Sequence, residues 1–388
     1  MYVILIYVLL AAAAAFRMYD SKNRFQKTEK VLYFAVALFF ALRFSIGQDT
    51  GTYNWLFYSV ENPFADSLTS HMMRNFLYTL LNYGVKITLR EFRWFVLFSN
   101  ILILGLFSYV ILRRSRNILM SLMLFVGSGI LEVYYGSGLR QGIVMALFLF
   151  AFYEFLPKKK YLLYELFCLI GFGFHETALL LMPVPLLIPL AEKFRAKPVK
   201  VTVIMFALSA VFCLITTLGF SQLGYYLIGK YGWDPTWTHV IAYLRFQEFS
   251  VMGLGMELVF LAGILLLYYL ADRSKLDDFS AVEMMTFLFS IALYVSLAGY
   301  SLMSRCSDMF QVIMVILVPK LLYAIPDVKK KGAAFLGLAL LNGYLLYADL
   351  NAKIGFINAN EKFQISMAQY PYISVFDGDR IGGLYEDR

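Results

Sequence analysis

A chain of 388 residues that is 60% hydrophobic and 15% charged lies outside the composition of soluble domains, where roughly 45–50% and about 25% are usual. Its formal charge of +8 comes from short basic runs set between apolar blocks, the distribution of membrane orientation signals, and no nucleic-acid motif accompanies it. Composition thus excludes a string of soluble domains and a nucleic-acid partner, and predicts an all-α integral membrane protein folded as one polytopic bundle.

In chain order, apolar stretches predict about twelve transmembrane helices, near 1–16, 31–46, 92–112, 117–133, 141–157, 161–175, 177–191, 200–219, 253–271, 281–300, 308–325 and 332–348. The first, "MYVILIYVLLAAAAAF", lacks a basic leader and is followed by basic residues, which favours a retained span over a cleaved signal. Six connections, "RMYDSKNRFQKTEK", "RRSR", "PKKK", "EKFRAKPVK", "DRSKLDD" and "DVKKK", hold 20 of the 34 Lys and Arg residues and are expected in the cytoplasm. The other connections, and both termini, are then expected outside. This reading gives a single bundle over 1–348 with an outer segment 47–91, an outer loop 220–252, and an outer tail 349–388. Within the outer segment, 71–91 has apolar residues interrupted by Arg74, Asn75, Asn82 and Lys86, as in an amphipathic helix lying on the surface or dipping partway in. Cys168, Cys213 and Cys306 show neither metal spacing nor a paired framework and are expected as free thiols.

Polar residues gather at the outer ends of these spans. Arg43 and Asp49 bracket the end of the second; Arg140 and Gln141 open the fifth; His175 and Glu176 form the turn between the sixth and seventh; Arg305 and Asp308 open the eleventh. Charged groups beside hydrocarbon are costly unless they snorkel, pair or line a polar cavity, so such residues are functional candidates. Arginines at one level repel unless an anion or carboxylates lie between them, and a guanidinium fork suits phosphate oxygens. Each residue also has a plain structural reading. Arg43 can be a snorkelling anchor, Asp49-Thr50-Gly51 a turn, His175 a satisfied turn residue, and Arg305 and Asp308 a neutralised pair one helical turn apart. "GSGLRQG" resembles a nucleotide loop only superficially, since no strand precedes it. The aromatic residues, 18% of the chain, suit an interfacial belt, and the same rings could stack on sugars.

"LRFSIGQDTGTYNWLF" resembles the R-x(3)-G-x-D-T-x(2)-Y signature of the EpsG-type polysaccharide polymerases, a branch of the Wzy-like membrane polymerases. "GLRQGIVMALFLFA", "FHETALLLMPVPLL", "SRCSDMFQVIMVIL" and "PYISVF" follow in the order of that family's later blocks. The resemblance covers roughly residues 1 to 376 and carries to Arg43, Gly47, Asp49, Tyr53, Arg140, Gln141, His175, Arg305 and Pro371 with Tyr372. It departs at Met309, where the family often has an aromatic residue. It implies a glycosyltransferase of GT-C type that joins undecaprenyl-pyrophosphate-linked oligosaccharide units at the outer face of the bacterial inner membrane, in the making of O-antigen, capsule or exopolysaccharide. A flippase and a chain-length regulator are the partner proteins such an enzyme implies, besides the membrane lipids.

Polymerisation on such a donor needs charge neutralised on the diphosphate, one proton removed, and two large substrates aligned. Arg140 and Arg305 are the first choices for the diphosphate and Arg43 the third. His175 is assigned as general base or proton relay, with Asp49 as the competing base or an orienting residue. Gln141, Tyr53, Asp308, Glu176 and Tyr372 complete the expected substrate contacts. The scheme calls for no cofactor and no metal. A lipid-linked oligosaccharide flippase or transporter, and a membrane acyltransferase acting on outer-face glycans, are the alternatives.

Overall fold

Apolar segments in a bilayer must satisfy their backbone groups internally, so these blocks fold as helices. The computed structural model describes residues 2–20, 22, 24–44, 49–60, 75–128, 138–231, 251–297, 302–351, 353–357, 362–366 and 372–382. In chain order the α-helices are α1 Tyr2–Tyr19, α2 Gln26–Ala41, α3 Thr50–Ser59, α4 Phe76–Leu89, α5 Phe92–Arg114, α6 Ile118–Gly127, α7 Leu139–Phe155 and α8 Tyr161–Phe172. They continue as α9 Leu187–Ala196, α10 Pro198–Tyr231, α11 Val251–Leu270, α12 Ser280–Ser296, α13 Leu302–Gln311, α14 Met314–Ala324, α15 Val328–Asn351 and α16 Gly378–Gly382. Among the described residues, six helical stretches are long and apolar enough to cross a membrane by length and composition, and there are five shorter apolar helices. The chain is a polytopic helical membrane protein. α7 lies at its centre, 83% buried, whereas the membrane-length part of α10 is only 17% buried and lies at the edge.

The expected seventh span departs from an α-helix for a chemical reason. Pro183, Pro185 and Pro189 remove amide donors, and Glu176–Leu181 and Val184–Leu186 wind as 3-10 turns before α9 begins. Pro185 leaves the Leu181 carbonyl without its helical donor; the Tyr164 hydroxyl supplies one from α8 at 2.7 Å. The expected span 308–325 is two helices, α13 and α14, interrupted at Val312 and Ile313. Pro319 in α14 likewise frees the Val315 carbonyl, which accepts from the Ser121 hydroxyl of α6. α10 runs to Tyr231, into the stretch expected as an outer loop, and 232–250 lie outside the described residues. α15 extends to Asn351, and the following segment adds a two-strand hairpin to an otherwise helical chain: β1 Lys353–Ile357 antiparallel to β2 Lys362–Ser366, with Lys353 opposite Ser366.

The six basic connections meet at one end of the bundle. Arg17 of α1 pairs with Glu29 of α2 at 2.8 Å, and the same carboxylate accepts the first amide of α6. Asn117 caps α6 through its oxygen and donates its amide to the Ala14 carbonyl. Arg114 and Lys158 share Glu154, Arg195 reaches Asp278, and Lys320 binds Asp277 and Glu283. Lys331 lies over the Tyr323 ring, whose hydroxyl reaches the Arg17 carbonyl. These links fix α7 with its N-terminus at the opposite end, where Arg140 lies.

Candidate functional site

Arg140 is the second residue of α7, half-buried at the end of the bundle remote from the basic connections. Its guanidinium carbon lies 5.6 Å from the ring centroid of Tyr53 and 5.5 Å from that of Tyr78, whose rings are 5.8 Å apart. Both tyrosines are 3% exposed. Two ring faces therefore hold one cation in place, and a desolvated contact of this kind is among the stronger cation–π pairs. The guanidinium also stands within hydrogen-bonding reach of the Tyr53 hydroxyl and within electrostatic reach of Glu176.

Tyr53 comes from α3 and Tyr78 from α4, the two helices of the segment expected to lie outside. Asp49 opens α3, and its carbonyl accepts the Tyr53 amide at 2.9 Å, so the two residues sit one turn apart. Its carboxylate makes no cap bond to α3 and lies within electrostatic reach of Tyr78. One face of α4 is buried, through Tyr78, Thr79, Asn82 and Val85. The polar residues that mark 71–91 as amphipathic thus do more than face water. Lys86 donates to the carbonyls of Tyr58 and Val60 at 2.6 and 2.7 Å, closing the C-terminus of α3. Tyr78 and Asn82, one turn apart, carry polar groups into the bundle. Tyr78 is the site residue that sequence reasoning missed, and no apolar periodicity marks it, since Asn82 interrupts the face that it shares with Val85.

The start of α4 is docked on the turn that carries His175. The Gly173 carbonyl accepts the amides of Leu77 at 2.8 Å and Tyr78 at 3.2 Å, satisfying two donors that a helix start leaves over. A β-carbon at position 173 would lie 2.6 Å from Leu77 Cγ, so the approach requires glycine. Two residues on, His175 caps the 3-10 segment Glu176–Leu181: its Nδ1 accepts the Thr177 amide at 3.2 Å and lies 3.0 Å from the Thr177 hydroxyl. A ring nitrogen that accepts an N–H bond carries no hydrogen of its own, so the neutral imidazole holds its hydrogen on Nε2. His175 is half-buried, Glu176 exposed, and Gln141 buried at 4% exposure.

The structure thus brings Asp49, Tyr53, Arg140, Gln141, His175 and Glu176 to one end of the bundle, with Tyr78 added. α13, which bears Arg305 and Asp308, packs on the 3-10 segment that His175 caps; the Arg305 side chain lies outside the described atoms. Asp308 belongs to a second polar group that sequence reasoning did not single out. It lies within electrostatic reach of Tyr294, whose hydroxyl donates to Glu257 Oε2 at 2.6 Å, and Glu257 in turn lies near Gln311 and Asp349.

Arg43 and Tyr372 meet elsewhere. Arg43 is 4% exposed, with its backbone paired to Ser374 and its guanidinium 5.6 Å from the Tyr2 ring. Tyr372 stacks on Phe39 at 4.4 Å, donates to the Phe39 carbonyl at 3.1 Å, and lies within electrostatic reach of Arg43. Phe44 and Val375 exchange amide bonds with Ile373 and Leu42, and Asn100 donates to the carbonyls of Ala41 and Arg43. The first and last blocks of the sequence pattern therefore clasp each other. Gly47 and Pro371 lie outside the described residues.

Among the described residues no group of three or more His, Cys, Asp or Glu side chains stands at metal-binding distances, and the three cysteines form no disulfide. The profile of the EpsG family matches residues 30–363. No curated protein and no solved structure matches the chain.

Proposed function

The chain belongs to the EpsG family, and from that premise we propose that it is a polysaccharide polymerase. It joins undecaprenyl-pyrophosphate-linked oligosaccharide units by glycosyl transfer at the outer face of the bacterial inner membrane, on a GT-C-like bundle of twelve spans with both termini outside. The observation that carries this reading is Arg140, held against the rings of Tyr53 and Tyr78 within electrostatic reach of Glu176, at the same end of the bundle as Asp49 and His175 and remote from the basic connections.

In the reaction an acceptor sugar hydroxyl forms a bond to the anomeric carbon of the donor as the bond from that carbon to the diphosphate breaks. The electron pair leaves with the diphosphate and the hydroxyl proton goes to a base. Arg140 meets the charge that grows on the leaving diphosphate, and the ring pair keeps its fork oriented before the substrate arrives. Arg305, on the helix packed against the His175 turn, is the second arginine for that anion. Arg43, third in order for that anion, also holds the tail against the end of α2. A single direct displacement inverts the anomeric centre.

The cap favours a different division of labour between His175 and Asp49 from the one the sequence suggests. With Nδ1 accepting from Thr177, the neutral ring offers an N–H at Nε2, which makes it a hydrogen-bond donor to substrate oxygen. Asp49, one turn from Tyr53 and within electrostatic reach of Tyr78 at the same end of the bundle, takes the proton. Gln141, Tyr53, Glu176 and Asp308 contact sugar or diphosphate.

The test is the purified protein incubated with its lipid-linked repeat unit, read as a ladder of longer lipid-linked products. Asp49→Asn should lower the rate by about 10²–10⁴-fold, the usual worth of a positioned base. His175→Gln, which can cap and donate but cannot take a proton, should keep a substantial fraction. The reverse ranking returns the base to His175, and wild-type protein that moves an acyl group instead of extending the glycan rejects the polymerase.

A further inference from the structure

At the basic end, away from the proposed site, a cavity of ≈ 550 Å³ opens between the end of α5, the end of α7, the start of α12 and α14. Arg113, Arg114, Arg116 and Lys320 line it, together with Asp277 and Asp278. The carboxylates do not neutralise these cations evenly. Asp278 is taken by Arg195, and Asp277 by Lys320 and the Ser280 amide and hydroxyl. Lys320 and Arg114 are matched by Glu283 and Glu154. Arg113 and Arg116, both exposed, meet no carboxylate within ion-pair distance among the described residues, and the buried Arg114 Nε has no acceptor among them. The cavity is therefore positive at its mouth, with a spare donor in its wall.

Its surroundings say where an anion would come from. Arg113 lies over the Tyr109 ring at 4.4 Å, and a run of rings leads away from it: Tyr109 to Phe150 at 5.3 Å, then Phe150 to Phe167 at 5.3 Å. The neighbouring α8 turns Leu162 and Leu166 outward at 84% and 47% exposure, as a lipid-facing helix does. A phosphate in the cavity would thus sit at the end of an apolar flank. We propose that this cavity holds the phosphate of an anionic phospholipid from the leaflet at the basic end, gripped by Arg113 and Arg116, with the acyl chains along the Tyr109–Phe150–Phe167 flank. Such a lipid ties the connection between α5 and α6 to α12 and α14.

The experiment is native mass spectrometry of the full-length protein after exchange into micelles doped with phosphatidylglycerol or phosphatidylcholine. The wild type should retain phosphatidylglycerol in preference. The R113Q/R116Q variant, which changes only exposed side chains, should lose that preference by about 30-fold, the combined strength of two basic side chains at a lipid surface. K329Q/K330Q removes the same charge from the same end on α15 and should keep it. Equal retention by the R113Q/R116Q variant and the wild type overturns the site. An equal loss in K329Q/K330Q reduces it to general surface charge and overturns it as well. Displacement of the lipid from wild-type protein by millimolar inorganic phosphate assigns the cavity to a soluble anion and overturns the lipid.

Discussion

At the scale of single residues, the site turns on how Arg140 is held. A lysine at 140 keeps the charge but loses both the fork and the flat face that packs against the two rings. Arg140→Lys should therefore cut polymer synthesis by about 10²-fold or more, as removal of a preorganised donor does, at unchanged protein level in the membrane. Tyr78→Leu removes one ring and should cost about 1–2 kcal/mol of orientation, on the order of 5–30-fold in rate, whereas Tyr78→Phe keeps the ring and should stay near the wild type. Equal rates for the leucine and phenylalanine variants would dismiss the ring pair. The basic end offers an independent test. Glu283 is fully buried and bonded to Lys320 at 2.6 Å, so Lys320→Met strands a carboxylate. It should destabilise the protein by about 3–5 kcal/mol, with recovery in the double variant Lys320→Met/Glu283→Leu, measured by unfolding in detergent.

At the scale of elements, what sequence could show depended on length. α1, α5, α7 and α15 were legible because each is a long apolar run ended by basic residues. The 3-10 stretch before α9 was not read, although its prolines stand in the sequence, and neither was the break at Val312 and Ile313, which no proline marks. What a lost helical bond does depends on a donor elsewhere, Tyr164 for Leu181 and Ser121 for Val315. The candidate site divides in the same way. Arg140, Asp49, His175 and Glu176 were legible because charge at a span end is costly and therefore conspicuous. Tyr78 was hidden because a tyrosine on an amphipathic helix looks like interfacial belt, and only the docking of α4 on Gly173 turns it inward. That docking predicts a specific coupling. Gly173→Ala forces a β-carbon against Leu77 and should cost about 1–3 kcal/mol, with loss of polymer because Tyr78 moves with α4. Leu77→Ala in the same chain should restore most of both. Failure of the second change to rescue the first would mean that the glycine serves only its own turn.

At the scale of the whole molecule, packing and orientation are separate questions. The interlinked basic connections show that six loops share one end, an arrangement that is the same in either orientation of the bundle. Which compartment that end faces rests on the 20 Lys and Arg residues it gathers, through the bias of insertion that keeps such loops in the cytoplasm. Two exposed lysines can decide it. Lys159 lies in the turn after α7 at the basic end, and Lys230 near the far end of α10. In a chain with Cys168, Cys213 and Cys306 replaced, Lys230→Cys should react with a membrane-impermeant maleimide in intact cells, and Lys159→Cys only after permeabilisation. The opposite pattern would place Arg140, Asp49 and His175 in the cytoplasm. Lipid-linked units already moved across the membrane could not then reach them, and the donor would have to be one that the cytoplasm supplies. Labelling of Lys230 alone keeps the site on the face where a growing extracellular glycan can leave it.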